Sequence, residues 1–346
     1  MAEGTNAVIF GDDNGHIFRS TDLGLSWTDI GVISNPLLPM LFSSASLGNG
    51  VVLAGGRDSQ VYRSSDSGLT WNSVGELFPP NFYYPTGIYS ILSLGNGVAL
   101  IGIDVTSDTI GMIYKSTDFG ASWILTYNSN SYPIRADTLS NLGNGVVVFG
   151  NKGGHVFRST DFGDTFVDLG VIAVGSINTT VFPGNGIVLF GDSTSTIYIS
   201  YDYGATWVAS LVITASILSS AYLENKTVIF GQVDGVVFIS DPLSFENYTG
   251  YPISPEPITS IANITNGITI AGNFLKKISS GVILRSTDFG LSWTDIGVIP
   301  NSISRINTIT SIPFTQTQTK KPTVLGNTSK RGVFINRPNS KGASFS

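Results

Sequence analysis

The 346-residue chain has no cysteine, only two histidines and three methionines, and just 12% of its residues are charged. The missing thiols exclude disulfide staples and thiolate metal sites, so the fold must be held by its core and its closure. The 18 Lys and Arg stand against 24 Asp and Glu, a net charge of −6, and they are scattered. A nucleic-acid binder needs a basic stripe to displace counterions, so no DNA or RNA partner is expected. No apolar run approaches the roughly 18 residues of a membrane span, and residues 1–6 lack the basic start and apolar stretch of a secretory signal. The chain is therefore expected to be made in a cytoplasm, to be soluble and not to insert into a membrane. Helix-forming stretches rich in Glu, Lys and Leu are missing too. What is abundant is 40 Gly, 20 Phe and 13 Tyr, with Val, Ile, Ser, Thr and Asn, the composition of an all-β protein.

One phrase recurs along the whole chain. It is clearest as Ser20-Thr-Asp22-Leu-Gly24-Leu-Ser26-Trp27 and Ser286-Thr-Asp288-Phe-Gly290-Leu-Ser292-Trp293. Further copies begin at Ser64, Ser116, Ser159 and Ser200, and a decayed one at Ser240, with starts 44, 52, 43, 41, 40 and 46 residues apart. A period in this range marks a propeller or solenoid whose units bury their apolar faces against their neighbours. Each unit divides into four strand-like pieces. Asn-Gly, the strongest hairpin signal, follows the first piece at Asn49, Asn96, Asn144, Asn185 and Asn266. The second piece is continuously apolar, as in Val146-Val-Val-Phe149, and should be buried on both faces. The third runs into the repeated phrase and the fourth begins at its Trp.

Four antiparallel strands per unit make a propeller blade. The phrase resembles the Asp-box, or BNR, repeat of sialidase-like β-propellers. The expected fold is all-β, a seven-bladed β-propeller with Asp-box turns, over residues 1–312. Arg305 to Ile312 would supply the first strand of the blade begun at the N-terminus. Residues 313–346 hold two more strand-like pieces, 323–326 and 332–336, so an eighth blade is the alternative to a tail.

Asp22, Asp66, Asp118, Asp161, Asp202 and Asp288 are read as structural, since an Asp side chain can accept hydrogen bonds from turn amides. The resemblance implies the same, because boxes of this kind lie on the rim away from an active site. Topology puts the long connections 75–89, 127–135 and 248–257, and the turn 104–111, on the opposite face. The candidate ligand-binding residues are therefore Phe82, Tyr83, Tyr84, Asp104, Tyr127, Tyr132, Arg135 and Tyr251, aromatics beside polar groups that suit a sugar or a peptide.

Catalysis has less support. A glycosidase needs two carboxylates across the bond and a sialidase a cluster of arginines. Arg57, Arg135 and Arg305 with Asp137 form a candidate cluster, but the Phe/Tyr-Arg-Ile-Pro motif expected before the boxes is missing. Xyloglucanase-type propellers use a cleft between two propellers, and one is expected here. His16 and His155 occupy one repeat position in different blades and read as strand residues, and Asp12-Asp-Asn-Gly15 reads as a turn, so no metal or cofactor is expected. Asn-X-Ser/Thr triplets such as Asn178-Thr-Thr180 follow from composition. The expected function is a non-catalytic binding or structural propeller, with protein partners in a larger assembly or a surface glycan. Its low charge and Ser/Thr/Asn-rich surface suit a virion or phage-tail component. A sialidase-like hydrolase is one alternative, and an assembly factor resembling the photosystem II stability factors is the other.

Overall fold

The computed structural model describes residues 7–77, 86–105, 110–129, 138–242, 249–275, 280–298 and 305–313. They form seven four-stranded antiparallel sheets, with no helix among the described residues. The first blade pairs Ile306–Ile312, Ala7–Asp12, His16–Ser20 and Thr28–Val32 in that order. The second holds Leu41–Gly48, Val51–Gly56, Gln60–Ser64 and Asn72–Glu76, and the third Thr86–Gly95, Val98–Val105, Ile110–Ser116 and Ile124–Ser129. The fourth is Ser140–Asn141, Val147–Gly150, His155–Ser159 and Val167–Val171, and the fifth Ile177–Gly184, Ile187–Asp192, Thr196–Ser200 and Val208–Val212. The sixth is Ile217–Tyr222, Val228–Gln232, Val236–Ser240 and Thr249–Pro252, and the seventh Ile258–Thr265, Ile268–Leu275, Ser280–Ser286 and Thr294–Val298. The first strands touch one another in cyclic order and line the axis. The ring closes where the C-terminal strand Ile306–Ile312 pairs with Ala7–Asp12. The strand-like pieces 323–326 and 332–336 lie outside the described residues.

Each of the seven seams between blades contains its own apolar cluster. Ile9 and Ile17 of the first blade meet Leu41, Val52 and Tyr62 of the second, with Trp71 against them. The Trp at the end of a repeated turn thus packs into the seam before its own blade. Second strands are buried on both faces, Ala7–Asp12 and Val51–Gly56 throughout, as their unbroken apolar sequence predicts.

The Ser, Thr and Asn residues of the first strands have a use that composition concealed. Instead of simply coating the surface, their side chains stitch every adjacent pair of innermost strands. Thr310 donates to Ser44 O, Ile91 N to Ser43 Oγ, Asn141 Nδ2 to Ser93 O and Thr180 to Thr138 O. Asn178 Nδ2 donates to Ile217 O, Ser219 to Ile258 O and Thr259 to Ile306 O, which completes the circle. Strand edges that face the axis are buried backbone, and such groups must find partners.

The repeated turns share one bond pattern. In the third blade Ser116 Oγ accepts from Gly120 N at 2.9 Å and donates to Asp118 Oδ1 at 2.8 Å. Asp118 also accepts from Ala121 N, Ser122 N and Ser122 Oγ at 3.0, 2.9 and 2.6 Å. The same Asp bonds to the residue four places on recur at Asp22, Asp66, Asp161, Asp202 and Asp288. The residue after the Asp takes positive φ, as Phe119 does at 58°, as well as the Gly that follows it. Its N–H meets the carbonyl of the Asn-Gly turn, Phe119 N to Gly97 O at 2.9 Å. Both turn sets therefore occupy one face, and the long connections leave from the other.

Candidate functional site

On the face opposite the Asp turns the axis opens into a cavity of about 480 Å³ lined by Asp13, Met40, Phe42, Tyr89, Asn178, Leu218, Thr259, Arg305 and Asn307. Six of these sit at one structural place in six different blades: Phe42, Asn178, Leu218, Thr259 and Asn307 each follow the Leu or Ile that begins an innermost strand, and Tyr89 follows Ile88, the third residue of Thr86–Gly95. The register shifts around each of them, so each is the extra residue of a β-bulge. Bulges re-aim a side chain, and the cause here lies in the neighbouring blade. The preceding Leu or Ile is pinned on a glycine of the previous second strand. A Cβ added to Gly55 would stand 2.7 Å from Ile88, and one on Gly191 2.6 Å from Ile217. With that apolar anchor in the seam, the next residue turns to the axis.

The mouth has two chemically different sides. Phe42 and Tyr89 stack with ring centroids 4.8 Å apart and planes 12° apart, and Met40 and Leu218 extend the apolar lining. On the polar side Asn307 Nδ2 donates to Asp13 Oδ1 at 2.6 Å and to Leu41 O at 2.8 Å. Arg305 is exposed beside them, and Arg57, also exposed, rests Nη1 on Met40 Sδ at 3.7 Å. No ion pair among the described residues engages either guanidinium. Behind the rim the buried Asp58 carboxylate accepts from Asn35 N and from the Tyr62 hydroxyl. Burial, then the bond to Asp58, pushes the Tyr62 hydroxyl well above its ordinary pKa, so it remains a donor. This set can stack an apolar group, donate hydrogen bonds and pair with an anion.

Of the candidate residues read from sequence, Phe82, Tyr83, Tyr84, Tyr132 and Arg135 lie outside the described residues, as does Asp137. Asp104 lies in the strand Val98–Val105 and pairs with Gly87 and Gly111. Tyr127 packs in the seam between the third and fourth blades, within 6.4 Å of the Phe149, Phe157 and Phe166 rings. Tyr251 packs against the seam between the sixth and seventh. Neither lines the mouth. Of the arginines proposed to cluster, Arg305 lines the cavity and Arg57 touches its wall. His16 and His155 pair with Asp29 and Asp168 of their own blades through Nδ1, at 3.0 Å each, and no three His, Asp or Glu side chains converge among the described residues. Reading the sequence missed the six bulged residues, although the Ile-x or Leu-x pair at or near the start of six first strands carried their signal.

No protein-family model and no curated protein matches this sequence. Solved structures do resemble the fold. A structure of YCF48 bound to D1 peptide is 18% identical, covers 74% of this chain and 81% of its own, and has a TM-score of 0.57. The WD40 β-propeller domain of Doa1 is 13% identical with a TM-score of 0.57, covering 79% of this chain and 88% of its own. The GH74 xyloglucanase from Xanthomonas campestris is 14% identical with a TM-score of 0.61; it covers 74% of this chain, which spans only 45% of the enzyme. At these identities the likeness is one of fold: the chain is a seven-bladed β-propeller.

Proposed function

We propose that this chain is a non-catalytic recognition propeller of the Asp-box type that takes an extended segment of a protein partner at the axial mouth, on the face opposite the boxes. The observation that carries the reading is the stacked Phe42–Tyr89 pair at the rim of a cavity that also offers amide donors and Arg305, which has no ion pair among the described residues. Half-buried aromatics and arginine are the residue types that dominate protein recognition energetically. Six turns with one bonding pattern support the Asp-box assignment. YCF48, of similar fold, was solved with a D1 peptide bound, which favours a peptide as the occupant. The strands on either side of 78–85 and of 130–137 end on this face, and Phe82, Tyr83, Tyr84, Tyr132 and Arg135 are kept as candidate partner-binding residues on the sequence alone.

The test is binding of the purified chain to a peptide array and a glycan array, beside Phe42→Ala and Tyr89→Ala variants. Peptide binding lost in both variants supports the proposal. Glycan binding alone would move the reading to a sugar, whose apolar face the same aromatic pair would stack. No binding to either array would sink recognition at the mouth. The setting in a viral or phage particle is kept on composition alone, and co-purification of the chain with particles tests it.

A further inference from the structure

Six arginines lie among the described residues, and they divide by what their guanidiniums hold. Arg19, Arg63, Arg158 and Arg285 each donate Nε to a backbone carbonyl in a turn of the next blade. Arg57 and Arg305 hold neither a carbonyl nor a carboxylate among the described residues. Both of these stand at the axial mouth. Arg305 lines the cavity, and Arg57 rests Nη1 on the sulfur of Met40, which lines it too. Four guanidiniums therefore serve the ring, and the two that do not are neighbours at its opening.

The acids closest to them are committed elsewhere. Asp58, next to Arg57 in the chain, is buried and accepts from Gln60 N, Asn35 N and the Tyr62 hydroxyl. Asp12 is buried too and accepts from Asn14 N and His16 N. Asp13 meets Arg305 through the backbone, N to O at 3.2 Å, while its Oδ1 accepts from Asn307 Nδ2. The far wall of the cavity, Asn178, Leu218 and Thr259, carries no charge. Asn178 and Thr259 there donate to Ile217 O and Ile306 O. Selection by charge at the mouth thus falls to the first and second blades, and its sign is positive in a chain whose net charge is −6.

Resting on the reading of the mouth as a peptide site, we infer that the partner segment is acidic. An Asp or Glu side chain of the partner pairs with Arg305 and Arg57, and an apolar or aromatic side chain close to it in the partner's chain stacks on Phe42 and Tyr89. A guanidinium has five N–H donors and no acceptor, and a carboxylate is the group that matches it two bonds at a time. The rings lie on the second and third blades and the guanidiniums on the first and second, so the two subsites adjoin. Side chains two residues apart share a face of an extended chain. The recognised pattern is therefore an acid and an aromatic or apolar residue at that spacing.

The test is an array of end-capped peptides, each with one Phe, printed in sets that differ only by Glu, Gln or Lys at a single position, with affinities of the strongest set measured by fluorescence polarisation. The full chain should bind the Glu member about fivefold more tightly than its Gln counterpart, the upper end for an exposed charge pair. Lys should be the weakest, and the advantage of Glu should shrink as NaCl rises. Arg57→Gln with Arg305→Gln should make Glu and Gln peptides equal while leaving affinity for the Gln peptide unchanged. Phe42→Ala should weaken both. Equal binding of Glu and Gln peptides to the wild-type chain, still lost in Phe42→Ala, overturns the acidic partner and leaves the mouth as a peptide site. A preference for Glu that survives in the double variant overturns the role of these arginines. Binding to no peptide overturns the reading of the mouth and this inference with it. If the double variant fails to fold, Arg305→Gln, on an exposed side chain, decides alone.

Discussion

Arg63 Nε donates to the carbonyl oxygen of Phe119 at 2.8 Å, from the third strand of the second blade to the turn of the third. The same clamp joins Arg19 to Ser67 O, Arg158 to Tyr203 O and Arg285 to Leu23 O, at 2.8, 2.8 and 2.9 Å. Each Arg immediately precedes the Ser of its own turn and holds the carbonyl of a positive-φ residue in the next. Replacing Arg63 by Met, which retains the apolar stem, should lower stability by about 1–2 kcal/mol, the scale of one half-buried charge-assisted bond. Arg63→Lys should recover little of it, since an ammonium lacks the rigid in-plane Nε–H. The third blade has a Lys at this place, and Lys115 pairs with Asp164 rather than with a carbonyl. Urea unfolding of the two variants checks both statements.

Gly120 and Gly48 both have positive φ, at 78° and 84°, yet they should respond differently to alanine. A Cβ on Gly120 would stand 2.7 Å from Leu53 Cδ2 in the adjoining blade, whereas one on Gly48 meets nothing within 4 Å. Gly48→Ala should cost about 1 kcal/mol, the left-handed penalty alone. Gly120→Ala adds overpacking of a seam and should cost about 2–4 kcal/mol. Equal melting temperatures for the two variants would mean that the seam yields.

That contrast marks what could be read from the chain. The Asp turns, the Asn-Gly turns and the seven-blade count were legible because each is local turn chemistry repeated at a fixed period. Asn49 and Gly50, at φ 53° and 74°, need no distant residue to explain them. The arginine clamps and bulged residues were not legible, because each depends on a different blade. Arg63 meets a partner 56 residues away, and Phe42 turns to the axis because Leu41 is pressed on Gly11 of the preceding blade, where an added Cβ would stand 3.1 Å from it. Tyr127 was placed on the ligand face from its position in a long connection. It lies instead in a strand whose alternation turns it into the seam.

The turn carboxylates should make stability depend on acid pH. Hydrogen bonds led by that from the Ser122 hydroxyl hold Asp118 down at about 2, against an ordinary 3.8. Asp22, Asp66, Asp202 and Asp288 are lowered by their own turn donors, which outweigh the opposing effect of desolvation. A carboxyl whose pKa is lower folded than unfolded stabilises above its unfolded pKa, and that stability is lost as pH falls through the folded value. Unfolding free energy should therefore be flat above pH about 5 and drop between about 4 and 2. Ser122→Ala should raise the Asp118 pKa, which carboxyl NMR titration would detect. An Asp118 that titrates unchanged in this variant would contradict the assignment of its chief donor.

The closing strand makes the sharpest demand on the chain as a whole. Ile306–Ile312 pairs with the N-terminal strand Ala7–Asp12 along its whole length. Its Ile306 packs with Phe10 and Ile270, while Asn307 ties it to Asp13 and to Leu41 O. Without it, the first blade loses its innermost strand and two seams open along the axis. Edge groups and apolar surface are exposed at once, a loss no neighbouring blade can cover. Truncation after residue 304 should therefore give an unfolded or aggregated product, whereas truncation after Thr315, the last residue of the compact unit Met1–Thr315, should leave cooperative unfolding intact. Differential scanning calorimetry of the two truncated chains separates the cases. A single sharp transition in the shorter chain would mean that the ring can stand open and that closure contributes little to its stability.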